Sequence, residues 1–101
     1  MTLVTKFFEQ SALPGEFDLS QNEPNPFKKL TTIKINLPHQ TKITVLITNS
    51  YGKVVEKLIS SVQDAGIYEL EFFADGLSRG TYFCHIVADN YSETREMELI
   101  K

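Results

Sequence analysis

The sequence has very little cysteine and no long apolar run, and each absence excludes a class of structure. Cys84 is the only cysteine in the 101 residues. An internal disulfide is therefore impossible, which excludes a disulfide-stapled scaffold. The apolar runs are short and interrupted, whereas a membrane-spanning helix needs about 20 consecutive apolar residues. We therefore expect no membrane span.

Basic residues are not in excess either. The chain has 10 Lys and Arg residues against 13 Asp and Glu residues, a formal net charge of −3. Because nucleic-acid binding depends on a basic surface that neutralises phosphates, we expect no nucleic-acid partner. Residues 1–11 combine a single lysine with a broken apolar stretch and no small-residue cleavage site, which is not the pattern of a secretory signal peptide.

The sequence also lacks the common motifs of catalysis and metal binding. His39 and His85 have no Cys, His or Asp neighbour at the spacing of metal ligands. No G-x-S-x-G, P-loop or paired-carboxylate arrangement is present. Nothing basic is arranged to lower the pKa of the Cys84 thiol, so we interpret this residue as a small buried hydrophobe. We expect no enzyme activity, no cofactor and no metal.

What the sequence does contain is a period-two alternation of apolar and polar residues from Thr31 onward. Gly, Pro, Asn or Asp interrupts the β-rich runs about every eight to twelve residues, which indicates an all-β sandwich or barrel. With a short strand near residues 17–21, we predict an immunoglobulin-like or fibronectin-like β-sandwich of about seven antiparallel strands and no helix of useful length. The other predicted strands are residues 31–37, 43–48, 54–60, 68–73, 82–88 and 91–100.

Residues 19–27, LSQNEPNPF, are rich in turn-forming residues, and we call them the proline segment. Pro24 and Pro26 each fix their own φ at about −65° and favour extended geometry in the residue before them. Asn22 and Asn25 belong to the same motif. We predict that residues 23–26 form a stiff, non-helical stretch that lies outside the strand ladders and directs Phe27 into the core.

A compact corner is predicted at residues 74–80. Leu77 is expected to plug the end of the core there, with Gly76 and Gly80 relieving the backbone on either side. Tyr82 precedes Cys84 by two residues, as the tyrosine of the tyrosine corner precedes a disulfide cysteine in immunoglobulin domains. Because the partner cysteine is absent, we interpret Tyr82 as a core or corner residue.

A small apolar strip is predicted on the outer surface of one sheet. Phe83, His85 and Val87 share the face of their strand that points away from the core. Leu46 would lie beside them if residues 43–48 form the neighbouring strand. Two interpretations stay open. The strip is either a set of scattered surface hydrophobic residues, which are common and could be covered by the N-terminal arm, or a partner-binding patch.

Residues 1–16 differ from the rest of the chain. The apolar residues in positions 3–8 could pack as a short helix or as an extra edge strand, and residues 12–15, ALPG, have the composition of a linker. We expect residues 1–16 to be a loosely attached arm or linker. Residues 17–101 are expected to be one domain, because a chain of this size holds one two-layer core.

Several motifs, in order and with appropriate spacing across residues 17–101, resemble the C-terminal sorting domains of the type IX secretion system of Bacteroidota. The related immunoglobulin-like domain of flagellar hook-capping proteins is similar. The motifs are the proline segment, Thr31-Thr32-Ile33, Leu37-Pro38, Gly52, Asp64-Ala65-Gly66, Gly76-Leu77-Ser78-Arg79-Gly80-Thr81-Tyr82 and Thr94-Arg95-Glu96-Met97-Glu98-Leu99-Ile100-Lys101. The sequence departs from the usual pattern at Glu23, where an aromatic residue is frequent, at Phe72, where Trp is common, and at Glu96, which replaces a basic residue.

The resemblance implies a sorting signal of type A, the Por secretion tail, at the C-terminus of an exported cargo. An outer-membrane shuttle would recognise the domain in the periplasm, and a sortase-like peptidase would remove it. The cargo would be secreted or attached to the cell surface, and residues 1–16 would be the linker from it. We expect a monomer. The candidate recognition surface consists of Leu46, Phe83, His85, Val87, Arg95 and Lys101.

The alternative is a structural or adhesive immunoglobulin-like module without a sorting role, which packs on its neighbours by a sheet face or edge. The fold by itself does not separate the two functions. A sorting domain is expected to stop at its last strand, as the sequence does at Lys101, whereas an assembly module has no such requirement. A signal peptide and a large cargo upstream of Met1 would favour sorting.

Overall fold

A computed structural model of the protein describes residues 2–7 and 17–100. These residues form eight strands, so the seven predicted strands are confirmed and a further one lies at the N-terminus. The strands are β1 (Thr2–Phe7), β2 (Asp18–Leu19), β3 (Leu30–Leu37), β4 (Thr41–Asn49), β5 (Val54–Gln63), β6 (Gly66–Phe73), β7 (Gly80–Ala88) and β8 (Tyr91–Leu99).

The strands form two antiparallel sheets, in the orders β1-β6-β3-β2 and β5-β4-β7-β8. Inward-facing residues of the two sheets pack in one cluster, so the predicted all-β sandwich is confirmed. The part of the chain that the structure describes contains no helix, and therefore none that could cross a membrane.

Alternation places the apolar side chains between the sheets, as the sequence predicts. In β6, Tyr68, Leu70 and Phe72 are buried, whereas the residues between them are half-buried. Phe27 is 1% exposed, and its ring meets that of Phe72 edge to face, with centroids 6.1 Å apart. The predicted entry of Phe27 into the core is confirmed.

The turns between strands match the turn-forming residues of the sequence. Between β4 and β5, Gly52 has a φ of +84°, and its N–H donates to the Asn49 carbonyl at 3.0 Å. Between β7 and β8, Asp89 has a φ of +58°, a conformation that Asp tolerates better than most residues. Each turn therefore carries a residue suited to its backbone.

The N-terminal segment supplies an edge strand. Strand β1 pairs antiparallel with β6, from Thr2 opposite Phe72 to Phe7 opposite Ile67. Of the two conformations considered for this segment, the edge strand is the one observed. The expected linker at residues 8–16 lies outside the described residues, and the division at residue 16 stays a prediction.

Strand β5 forms the other end of the second sheet and is irregular. Its pairing with β4 shifts register between Val45 and Leu46 and again between Ile47 and Thr48. Such irregularities increase the local twist of an edge strand. Strand β5 therefore differs in shape from β8, which pairs with β7 without a register shift from Tyr91 to Leu99.

Candidate recognition surface

The proline segment crosses from the first sheet to the second. Glu23 forms a bridge with Thr32 of β3, with both backbone N–O distances at 2.9 Å. Phe27 forms a parallel bridge with Leu99 of β8. The prediction that residues 23–26 lie outside the ladders is therefore wrong at Glu23. At the buried Phe27 the pairing satisfies backbone groups that would otherwise lack partners.

The backbone of Phe27 covers the end of β8 on the side that faces away from β7. The Phe27 N–H donates to the Glu98 carbonyl at 2.9 Å, and the Ile100 N–H donates to the Phe27 carbonyl at 2.8 Å. Both bonds use groups at the outer edge of β8, where an unprotected strand would present them to a new partner. The end of β8 is thus paired on both sides.

Two side chains of the proline segment extend this cover along β8. Asn25 Oδ1 accepts a hydrogen bond from the Glu98 N–H at 2.9 Å, and Gln21 Nε2 donates to the Glu96 carbonyl at 2.7 Å. We call these two bonds, together with the two backbone bonds of Phe27, the clasp. Side-chain amides can replace strand-to-strand pairing here because they carry both a donor and an acceptor.

Contacts continue at the beginning of β8. Arg95 Nε donates to the Leu19 carbonyl at 2.9 Å. The Phe17 ring stacks on Tyr91, with centroids 5.2 Å apart and planes at 19°. From Phe17 to Phe27 the chain therefore runs alongside β8 in the same direction, from Tyr91 to Ile100.

A buried polar cluster holds the proline turn in shape. Asn22 is 1% exposed, and its Nδ2 donates to the Pro24 carbonyl at 3.0 Å and to Thr31 Oγ1 at 2.9 Å. The Thr31 hydroxyl donates to the same Pro24 carbonyl at 2.8 Å. Asn22 Oδ1 accepts a hydrogen bond from Gln21 Nε2 at 2.7 Å. The two Pro peptide bonds, after Glu23 and Asn25, are cis.

The predicted corner is observed before β7. Leu77 is half-buried against the core, and Gly76 and Gly80 have φ angles of +80° and +146°, which favour glycine. The Tyr82 hydroxyl donates to the Ser78 carbonyl at 2.6 Å, so the interpretation of Tyr82 as a corner residue is confirmed.

The first sheet contains a second corner tyrosine, Tyr68. The Tyr68 hydroxyl donates to the Asp64 carbonyl at 2.7 Å, again four residues earlier in the chain. In both cases a glycine with positive φ precedes the tyrosine by two residues, here Gly66 at +152°. Each sheet thus has one strand whose beginning is fixed by a Gly-x-Tyr motif.

The apolar strip lies on the outer face of the second sheet, and the predicted position of Leu46 beside β7 is confirmed. Leu46 pairs with His85, and Phe83 pairs with Thr48. Phe83, His85 and Leu46 are half-buried, and Val87 is 53% exposed. We call these four residues the outer strip. Whether it binds a partner stays a prediction.

His85 is held in place on this face by hydroxyl groups of both neighbouring strands. Its Nε2 lies 2.9 Å from Thr48 Oγ1, and its Nδ1 lies 2.9 Å from Thr94 Oγ1. The Phe83 ring is 6.3 Å from the imidazole, centroid to centroid. The centre of the outer strip is therefore fixed across three strands before any partner binds.

Charges of opposite sign flank the outer strip. Lys57 is exposed and pairs with Leu46 on the β5 side. Glu96 is exposed and pairs with Phe83 on the β8 side. Glu98 is half-buried, and its Oε1 accepts a hydrogen bond from Thr81 at 2.9 Å. The face is thus apolar in the middle, basic on one margin and acidic on the other.

Arg95 does not belong to the outer strip. It lies on the side of β8 that carries the buried Met97 and Leu99, donates to Leu19, and forms an ion pair with Glu93 at 2.6 Å. Lys101 lies outside the described residues. The structure therefore brings together Leu46, Phe83, His85 and Val87. Arg95 lies on the opposite face of the sheet, where it contacts Leu19 and Glu93.

The titratable groups of the core offer little reactivity. Cys84 is fully buried, and burial raises the pKa of its thiol to about 12, so the nucleophilic thiolate is scarce at neutral pH. Burial raises the pKa of Tyr91, as does its hydrogen bond to the Glu93 carboxylate. Among the described residues no cluster of His, Cys, Asp or Glu side chains could hold a metal ion.

The family model for secretion system C-terminal sorting domains matches residues 24–100. The chain belongs to this family. Sorting domains are C-terminal signals for type IX secretion, so this sorting domain interacts with the type IX machinery and serves a cargo that is secreted or placed on the cell surface. Such a signal family is not catalytic. No curated protein gave a significant match to the chain.

The sequence-based prediction missed the part that Gln21 and Leu19 have in covering β8. No local pattern marks Gln21, because its acceptor is 75 residues away in the chain. The orientation of Arg95, in contrast, could have been predicted from the alternation of residues along β8. Met97 and Leu99 face the core, and a residue two positions before Met97 lies on the same side of a strand.

Proposed function

We propose that this sorting domain crosses the periplasm at the end of its cargo, is bound there by an outer-membrane shuttle of the type IX machinery, and is removed by a sortase-like peptidase. The observation that supports this proposal is the family match across residues 24–100, which spans both sheets. In this proposal the domain works as a monomer, offers a surface and catalyses no reaction of its own.

In this proposal residues 17–101 are the sorting domain and residues 1–16 link it to the cargo, with β1 of this linker paired to β6. The stacking of Phe17 on Tyr91 supports a boundary near this residue, because it attaches Phe17 to the beginning of β8. The family match starts later, at residue 24, and the preceding residues 17–23 hold contacts to both sheets.

We propose the outer strip as the surface that the shuttle binds. Phe83, Leu46 and Val87 offer apolar area on a regular sheet, and the two threonine hydroxyls already hold His85 in one orientation. A rigid surface loses little conformational entropy on binding. Lys57 and Glu96 on opposite margins would orient the partner through complementary charges.

Arg95 and Lys101 have different proposed parts. Arg95 is a positioning residue, because its guanidinium connects β8 to Leu19 and to Glu93. Lys101 follows the clasped end of β8 and would add a positive charge to the recognised surface. Removal of the Arg95 side chain would act on recognition through the position of β8.

A reporter fusion tests the proposed function. A signal peptide, a fluorescent protein and residues 1–101 are joined and expressed in a bacterium that has a type IX system. We expect fluorescence in the medium or on the cell surface, and retention in the periplasm in a strain whose type IX system is deleted. Retention in the periplasm of the competent strain would contradict the proposal.

Two exposed valines on the same sheet face test the outer strip. Val87→Ser changes the strip, and Val62→Ser changes the β5 margin of the face, where the side chain is 61% exposed. Because both side chains are largely exposed, neither change should unfold the domain. We expect Val87→Ser to lower secretion and Val62→Ser to leave it unchanged. Equal secretion of the two variants would place recognition elsewhere.

A further inference from the structure

The outer edge of the terminal strand is closed at its end. Between Glu96 and Ile100 the proline segment uses the Glu96 carbonyl, the Glu98 N–H and carbonyl, and the Ile100 N–H. The opposite edge of the strand pairs with β7 as far as Leu99. A partner that added its own strand at this edge would need the same groups. Strand addition there requires the clasp to open first.

The clasp also presents a surface of its own. Pro24, Asn25 and Pro26 are exposed, and Ile100 is 43% exposed. Because Phe27 pairs with Leu99, this turn stands directly beside the end of β8. Residues more than 70 positions apart in the chain thus form one continuous ridge. Neither end of the domain makes this ridge without the other.

The position of Phe27 links this ridge to the folding of the whole domain. The Phe27 ring is in the core against Phe72, while its backbone holds Glu98 and Ile100. A chain whose core has not closed cannot place Phe27, and it therefore leaves the end of β8 without its cover. The clasped ridge is a feature of the folded domain only.

We infer that the type IX machinery recognises the clasped ridge, formed jointly by the Pro24-Asn25-Pro26 turn and the end of β8, through a preformed protein groove with apolar walls that does not add a strand. This inference deepens the proposed function and rests on it. Strand β8 lies between the two surfaces, because its Glu96 pairs with Phe83 of the outer strip and its Leu99 pairs with Phe27. The signal is then conformational, and residues 94–101 by themselves do not carry it.

The test removes the two side-chain bonds of the clasp. Gln21 and Asn25 are both exposed, so the double variant Gln21→Ala/Asn25→Ala removes no core side chain, although it also removes the bond from Gln21 to Asn22. Loss of the side-chain hydrogen bonds to Glu96 and Glu98 should speed exchange of the Glu98 amide by roughly tenfold or more. We expect secretion of the reporter fusion to fall severalfold. Asn25→Asp keeps an acceptor oxygen for the Glu98 N–H and should leave exchange of that amide slow.

A matched control separates recognition from stability. Tyr68→Phe removes the hydrogen bond to the Asp64 carbonyl in the other sheet. If the unfolding temperature of this control is still above that of the clasp variant, Ile59→Val is added to match the two. We expect the control to be secreted far better than the clasp variant. Equal secretion of the control and the clasp variant would overturn the inference, as would normal secretion of the clasp variant.

A second fusion tests whether the signal is linear. The reporter followed by residues 94–101 only should stay in the periplasm, and its secretion would overturn the inference. These outcomes differ from failure of the proposed function, in which the reporter with residues 1–101 stays in the periplasm as well. If residues 1–101 direct secretion but the clasp variant behaves as the intact domain, only the inference fails.

Discussion

The two edges of the second sheet are protected in opposite ways. The β8 edge is covered by the proline segment, through backbone bonds of Phe27 and side-chain bonds of Gln21 and Asn25. In the described part of the chain nothing pairs with the outer edge of β5. There the register shifts and the exposed Lys57 make the edge a poor template for another strand.

This difference predicts at which edge substitutions lower the free energy of unfolding most. Covering an edge uses buried residues, because the segment that covers β8 is anchored by Phe27 and Asn22. The β5 edge is protected by its irregular shape, and residues along it such as Val54 and Val62 are exposed. Changes on the β8 side should therefore cost far more than chemically similar changes on the β5 side.

The largest expected effect is at the anchor of the covered edge. Phe27→Ala removes a fully buried ring and should lower the free energy of unfolding by about 3–5 kcal/mol. Because the total free energy of unfolding of a domain of this size is about 5–15 kcal/mol, a fraction of the molecules should then be unfolded. Urea unfolding followed by circular dichroism measures the loss. Val54→Thr at the β5 edge is the control, with an expected loss below about 0.5 kcal/mol, and similar losses for the two would contradict the comparison.

The next effect compares two amide side chains. Asn22→Ala removes the buried donor to Pro24 and Thr31, which should cost about 1–3 kcal/mol. Gln63→Ala on β5 removes an exposed bond to Ser61 and should cost less than about 0.5 kcal/mol. Both free energies of unfolding come from the same urea titration. Were Gln63→Ala the more costly change, the order of the two edges would be reversed.

Cys84 provides a probe of opening beside the covered edge. Its thiol is buried and its pKa is raised to about 12, so a thiol reagent at pH 8 should react through opened molecules, where the thiol pKa returns to about 8.5. Gln21→Ala/Asn25→Ala should speed this labelling by roughly tenfold. Val62→Ser should leave the rate unchanged. Equal acceleration by both variants would mean that the domain opens as a whole and not from the β8 side.

The smallest effect is expected for Val62→Ser itself. The side chain is 61% exposed, so its removal should change the free energy of unfolding by less than about 0.5 kcal/mol. The unfolding temperature measures this, and sedimentation at high concentration shows whether the less apolar edge associates less. A fall in unfolding temperature of more than about 4 °C would show that β5 has a covering contact.

Much of the fold could be predicted from the sequence because its determinants are local. Alternation locates the strands, and glycines with positive φ precede Tyr68 and Tyr82. The placement of Leu46 beside β7 follows from pairing two alternating strands. In each case the residues that decide the structure are close together in the chain or lie on adjacent strands.

The clasp could not be predicted in the same way. It depends on the proline segment reaching the sheet opposite to the one where Glu23 pairs, and on a parallel register between Phe27 and Leu99. Neither is encoded by a periodicity. The rigidity of Pro24 and Pro26 was predictable, but the partner of that rigid turn was not, because the partner comes at the end of the chain.

The parallel course of the proline segment and β8 has a mechanical consequence. Phe17 lies beside Tyr91, at one end of the pair, and Phe27 lies beside Leu99 at the other. A force that pulls on the chain before Phe17 and after Ile100 acts along the two segments in opposite directions. The hydrogen bonds between them are then sheared together, whereas an antiparallel pair would be unzipped one bond at a time. A domain that is drawn by its ends thus meets its strongest resistance at the clasp.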